Sequence, residues 1–205
     1  MLVHKQVGSI ATTASIASGT QVTGRAGNMG EDIFSELHGR FYEATYRRSM
    51  FVIANQAAVA TSAALTTTWT GLLVGNPTTS TVNLVMLGFG YANTAVPSAA
   101  TTLGIMTGTG ASVTASLTPR NRYVGGAAAN ALSNAGQTLP GTPVLEQVFA
   151  SVGTLAVTGY TILGSNWIWL DGSLVLPPGT FVATYSTAAN TAAWIFSFLW
   201  EEVPV

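Results

Sequence analysis

The chain has 205 residues, with 7 Lys and Arg against 8 Asp and Glu, a net charge of −1 and a charged fraction of only 7%. So few cations exclude a basic nucleic-acid-binding surface, which needs clustered Lys and Arg to displace counterions. A composition that is 48% hydrophobic excludes a self-repelling disordered chain, and near-zero net charge leaves little colloidal repulsion, so much of the surface is expected to be covered by something else.

The length suits one domain. No cysteine is present, which removes disulfides, thiolate metal sites and a Cys nucleophile. Mean hydropathy is positive, +0.41, yet the best apolar stretch, Ala192 to Trp200 with Ser197 inside it, is far short of the roughly 20 residues that a helical membrane span needs. The first residues, MLVHKQVGSIATTASIASG, lack the continuous apolar core of a signal peptide. The expectation is synthesis in a cytoplasm, without membrane insertion.

In chain order, residues 1–30 are rich in Ser, Thr, Gly and other small residues. They hold too few large apolar groups to offset the entropy of ordering alone, so they are expected to form a flexible or extended N-terminal arm or a disordered tail. Residues 31–205 are expected to form a single domain. Seven of the fifteen charged residues lie between Glu31 and Arg48. Glu31 and Asp32 suit a helix N-terminus, Ile33, Phe34 and Leu37 share a face, and Gly39 suits the position after the last turn, which predicts one short helix. Residues 41–46 then read as a strand with Tyr42, Ala44 and Tyr46 on one face.

From Met50 onward the sequence is a succession of Val-, Ile-, Thr- and aromatic-rich segments bounded by Gly, Pro, Asn or Ser. Strands are predicted at 50–55, 65–74, 81–92, 103–107, 112–117, 144–152, 160–170, 174–176, 180–186 and 193–202. Trp194, Phe196, Phe198 and Trp200 alternate with Ile195, Ser197 and Leu199, a two-residue period with one apolar face. Residues 82–91 are apolar on both faces, as for a strand sandwiched inside. Leu176-Pro177-Pro178-Gly179 marks a tight reversal. Residues 120–143 read as an Ala-, Asn- and Gly-rich connection. No helical segments separate the strands, so the expected fold is all-β, an antiparallel β-sandwich or jelly roll of eight to ten strands.

Chemical motifs are sparse. His4 and His38 sit near no nucleophile motif, no Gly-x-Ser-x-Gly elbow occurs, and Gly104–Gly110 lacks the Lys-Ser/Thr of a phosphate loop. Glu201 and Glu202 are neighbours on a strand and face opposite sides. Glu146 and Asp171 would have to meet in space to serve as paired carboxylates, and Glu146 is expected instead to pair with Arg120 or Arg122 or to face solvent. Glu36, His38 and Glu43 match no metal-ligand spacing; ion pairs Glu36–Arg40 and Glu43–Arg47 are expected there. Trp69, Trp167, Trp169, Trp194 and Trp200 could line a sugar-binding surface, but aromatic stripes on strands are expected first in a sandwich core. No cofactor and no enzymatic activity are expected.

Leu37-His38-Gly39-Arg40-Phe41-Tyr42-Glu43, Pro143-Val144-Leu145-Glu146-Gln147-Val148, Leu176-Pro177-Pro178-Gly179 and Trp200-Glu201-Glu202-Val203-Pro204 resemble the jelly-roll virion structural proteins of tailed bacteriophages. The resemblance implies a capsid decoration or cement protein that sits on the major capsid protein as a homotrimer, located in the virion. The expected interface set follows the charges: Glu36, His38, Arg40, Glu43, Arg47, Arg48, Arg120 and Arg122. The other function kept open is a carbohydrate-recognising receptor-binding or tail-associated module.

Overall fold

The computed structural model describes residues 39–110, 113–154 and 165–205. The expected arm, the helix predicted over 31–38, Glu36 and His38 lie outside those residues. Two units divide the chain, Met1–Tyr42 and Glu43–Val205, and the strands all belong to the second. In order they are β1 (Met50–Ala54), β2 (Val59–Thr61), β3 (Thr68–Asn76), β4 (Val82–Asn93), β5 (Thr101–Thr109), β6 (Arg120–Asn121), β7 (Leu132–Thr138), β8 (Val144–Val152), β9 (Ser165–Leu176), β10 (Thr180–Ser186) and β11 (Asn190–Pro204), preceded by helix α1 (Tyr42–Tyr46).

Two antiparallel sheets result. One runs β6-β1-β11-β4-β9 with β2 also on β11; the other runs β7-β3-β10-β5-β8. The pairs β1–β11, β3–β10, β4–β9 and β5–β8 join first with last, then inward, through eight of the strands. This is the nested pairing of a jelly roll, so the all-β sandwich expectation holds.

The alternation in β11 explains the core. Trp194, Phe196, Phe198 and Trp200 are buried between the sheets with Phe51 and Ile53 from β1, Phe89 from β4, and Leu72, Leu103 and Val182 from the facing sheet. A second cluster covers the outer face of the five-stranded sheet: Trp69, Leu73, Met106, Phe181 and Ala183 pack with Leu139 and Val113. The Trp69 indole N–H donates to the Thr184 carbonyl at 2.9 Å, which satisfies the ring's one polar group in the buried site. The segment between β5 and β8 is therefore more than a connection. It supplies β6, β7 and the lid over this second cluster.

Several sequence expectations are corrected. Residues 42–46 are helical, not a strand. Arg48 adopts φ 65°, and Arg48 N–H and Ser49 N–H donate to the carbonyls of Thr45 and Ala44, a Schellman closure that needs a left-handed residue just past the helix. Residues 113–116 form no strand, and Leu117 makes a single bridge to Ser133. The segments predicted at 160–170 and 174–176 merge in β9, which carries a bulge at Asp171 and Gly172, both at positive φ. The tight reversal expected at Pro177–Gly179 is present (Gly179 φ 83°), and it connects strands of different sheets, turning a corner of the sandwich. Among the described residues no further layer covers the outer face of β4; it carries Gly88 and Gly90 under a tryptophan of β9.

Candidate functional site

On one flank of the sandwich, β6 is an edge strand beside β1, with Arg120 opposite Val52 and Asn121 opposite Phe51. The Arg122 N–H donates to the Met50 carbonyl at 2.8 Å. Asn121 Nδ2 donates to the Arg48 carbonyl at 2.8 Å across 73 positions of sequence, and the Arg48 guanidinium lies 4.8 Å from the centroid of the Tyr123 ring. Arg48, Arg120 and Arg122 are thus brought to one basic edge by the pairing of β1 with β6. Arg40 lies 5.0 Å from the centroid of the Phe41 ring.

Glu43 and Arg47 form the expected i,i+4 pair, 2.7 Å apart, with both side chains about 70% exposed. Water competes for both groups, so the pair contributes about 0.3–0.5 kcal/mol to stability. Arg47→Ala should shift the urea unfolding midpoint barely above error. A loss above about 1 kcal/mol would show that the pair does more than solvate α1.

The opposite flank is different in chemistry. β8 ends the five-stranded sheet and among the described residues pairs only with β5, and the ring of Phe149 packs on Phe89 at 5.6 Å between centroids. Val144, Leu145 and Val148 are exposed at 63%, 39% and 47%. Soluble proteins usually blunt such edges with Lys, Pro, bulges or a covering segment; β8 has no Lys or Pro along its nine residues and one charge, Glu146, and its pairing with β5 shifts register twice, at Phe149 and at Glu146. Glu146 accepts a hydrogen bond from the Thr107 hydroxyl at 3.0 Å. Neither Arg120 nor Arg122 reaches it, because β6 and β8 end opposite flanks. Of the two outcomes expected from sequence, Glu146 takes the exposed one and not the ion pair.

The second correction concerns the tryptophans. Trp69, Trp194 and Trp200 are buried, but Trp167 and Trp169 are 37% and 50% exposed. Both project from the outer face of β9, where Trp167 pairs with Gly90 and Trp169 with Gly88 of β4. A Cβ on Gly88 would collide with Cζ2 of the Trp167 indole, and one on Gly90 with its Cε3. The ring therefore lies across both glycines, and Trp169 stands nearly edge-on to it, 5.5 Å between centroids at 70°. A sequence signal existed for this: two glycines in the middle of an otherwise apolar strand mark a close approach of something to the backbone.

Among the described residues, no three His, Asp or Glu side chains gather as metal ligands do, and no helix is long and apolar enough to cross a membrane. Glu146 lies on β8 and Asp171 in the β9 bulge, in different sheets. Comparison of the chain with protein-family models, with curated proteins and with solved structures finds no match. A jelly roll by itself assigns no function.

Proposed function

We propose that the chain is a non-enzymatic structural subunit of a bacteriophage virion, a decoration protein that clamps the major capsid protein as a homotrimer. The observation that carries this reading is the contrast between the two flanks. One ends in β6 with Arg48, Arg120 and Arg122; the other ends in β8 with exposed Val144, Leu145, Val148 and the acid Glu146. Unlike flanks on opposite sides of one subunit suit a heterologous contact, basic edge on apolar-acidic edge, which closes into a ring under threefold symmetry. Repeated over a shell, modest contacts at each subunit then sum to binding far tighter than any single one. The phage-like motifs at 37–43, 143–148, 176–179 and 200–204 support the placement in a virion, and a jelly roll is an architecture that viral shells use.

Light scattering on the full chain tests the assembly. The expected mass is three times the 21.1 kDa subunit. Glu146→Arg should raise the concentration at which the trimer dissociates by about tenfold, and adding Arg120→Glu should restore part of it. A monomer at all concentrations removes the reading. The placement is tested by cryo-electron microscopy of virions of the phage that encodes the chain, where density for this jelly roll belongs on the shell; density on the tail alone would transfer the protein to a tail module.

A further inference from the structure

We infer that the outer face of β4, β9 and β11 holds a binding site for a neutral saccharide, with the Trp167 indole as its stacking platform. The inference does not rest on the shell assignment, and it uses a sheet face distinct from the β8 edge.

Three features carry it. First, the platform is built. Gly88 and Gly90 interrupt an apolar strand at the two positions where any side chain would displace Trp167, and interior glycines weaken a strand. One face of the indole packs on their backbone while the residue remains 37% exposed, so the ring is held in place and still presents aromatic surface. A ring already immobilised loses little freedom when a ligand stacks on it. Trp169 forms a wall beside it at 70°.

Second, the platform borders a groove of about 530 Å³ lined by Gly90, Ala92, Ser165, Asn166, Ile195 and Ser197 together with Trp167 and Tyr91, within the usual size of a small-molecule site. Third, the polar groups of the described lining residues are hydroxyls and an amide, without a charge. Asn166 Oδ1 accepts the Trp167 backbone N–H at 2.8 Å, which fixes the amide and leaves its NH₂ to donate; Ser165 and Ser197 each offer a hydroxyl able to donate and accept. A phosphate, carboxylate or ammonium ligand would find no counter-charge. A pyranose has the matching two-sided chemistry: a face of C–H groups for the indole, and a rim of hydroxyls for an amide and two serines.

The test is a saccharide array carrying neutral gluco-, galacto-, manno- and N-acetylglucosamine oligomers beside sialylated and sulfated ones. The full chain is the probe, and titration calorimetry follows on the neutral oligomer that binds best. Neutral oligomers should be retained without any need for an acidic group, and binding should quench tryptophan fluorescence. Trp167→Ala should weaken binding by about tenfold or more, and Trp167→Phe by less. Gly90→Val, which lifts the ring from its bed, should match Trp167→Ala, while Ser197→Ala should cost less. Oligomer mass and circular dichroism should be unchanged in Trp167→Phe and Ser197→Ala. The inference is overturned if no neutral oligomer binds, if Trp167→Ala and Gly90→Val both leave the affinity intact, or if Trp167→Phe dissociates the oligomer, which would make this face a subunit seam. Loss of the trimer upon Glu146→Arg with saccharide binding retained would separate this site from the assembly surface.

Discussion

Phe89→Ala should lower the unfolding free energy by about 3–5 kcal/mol, a large part of the total for a domain of this size. Phe89 is fully buried in the middle of β4, and its ring meets those of Phe149, Phe196, Phe198 and Tyr91 at centroid distances between 5.1 and 6.3 Å. It is the point at which β4, β11 and the edge strand β8 of the facing sheet come together. Truncation removes the transfer energy of the ring and also leaves a void whose aromatic walls cannot collapse, since each is held by a strand in a fixed register. Urea unfolding followed by circular dichroism measures the loss, with Val144→Ser as the comparison, which should stay within about 0.5 kcal/mol because the residue is exposed. A loss at Phe89 below about 1.5 kcal/mol would mean that the sandwich repacks around the gap.

The second large effect is expected at Glu202. Its carboxylate is buried, 7% exposed, and accepts from the Asn130 backbone N–H at 2.9 and 3.1 Å, from Asn130 Nδ2 at 2.7 Å and from the Ala131 N–H at 3.1 Å. No cation pairs with it among the described residues. The Trp200 indole N–H approaches at 3.5 Å, the limit of a useful contact. Hydrogen bonds to an ionised acceptor are shorter and stronger than neutral ones, and donors left without an acceptor pay their desolvation in full. Glu202→Ala should therefore cost about 3 kcal/mol or more. Glu202→Gln should cost less, because one oxygen still accepts while the new NH₂ confronts N–H donors. Hydrogen exchange at Asn130 and Ala131 should accelerate in both variants, which locates the damage. If Glu202→Ala unfolds at the wild-type midpoint, the network contributes nothing net and the carboxylate is merely tolerated.

This carboxylate also shows how far a sequence can be read. The neighbours Glu201 and Glu202 are expected on opposite sides of a strand, and they are: Glu201 accepts from the Ser49 hydroxyl at 3.0 Å near the surface, while Glu202 turns inward. Period-two geometry gives the alternation, but it does not say which side is the inside. That depends on Asn130 and Ala131, 72 positions away, arriving with their N–H groups. The segment containing them reads as a loop because Ala, Asn and Gly carry no pattern, although it supplies β7 and the lid over the second cluster.

The same limit explains the helix and the tryptophans. Tyr42–Tyr46 has strand-like composition, yet a local Schellman closure and a one-turn ion pair make it α1; both are backbone geometry that hydrophobic alternation does not report. Trp167 and Trp169 alternate just as Trp194 and Trp200 do. The difference lies in position: β11 is central in its sheet and turns its aromatic stripe inward, whereas β9 is the edge strand and turns its pair outward. The two glycines of β4 are the only local mark of that choice.

By itself, then, the sequence determined the all-β class, most of the long strands, the aromatic stripe of β11 and the turn at Pro177–Gly179, because these follow from alternation and from turn chemistry within a few residues. Only the tertiary structure decided the jelly-roll pairing, the gathering of Arg48 with Arg120 and Arg122, the apolar edge at β8 and the open face of Trp167. Each of those is set by which distant strand lies alongside. A strand's own residues specify that it has two faces and two edges; its neighbours specify which of them meet water.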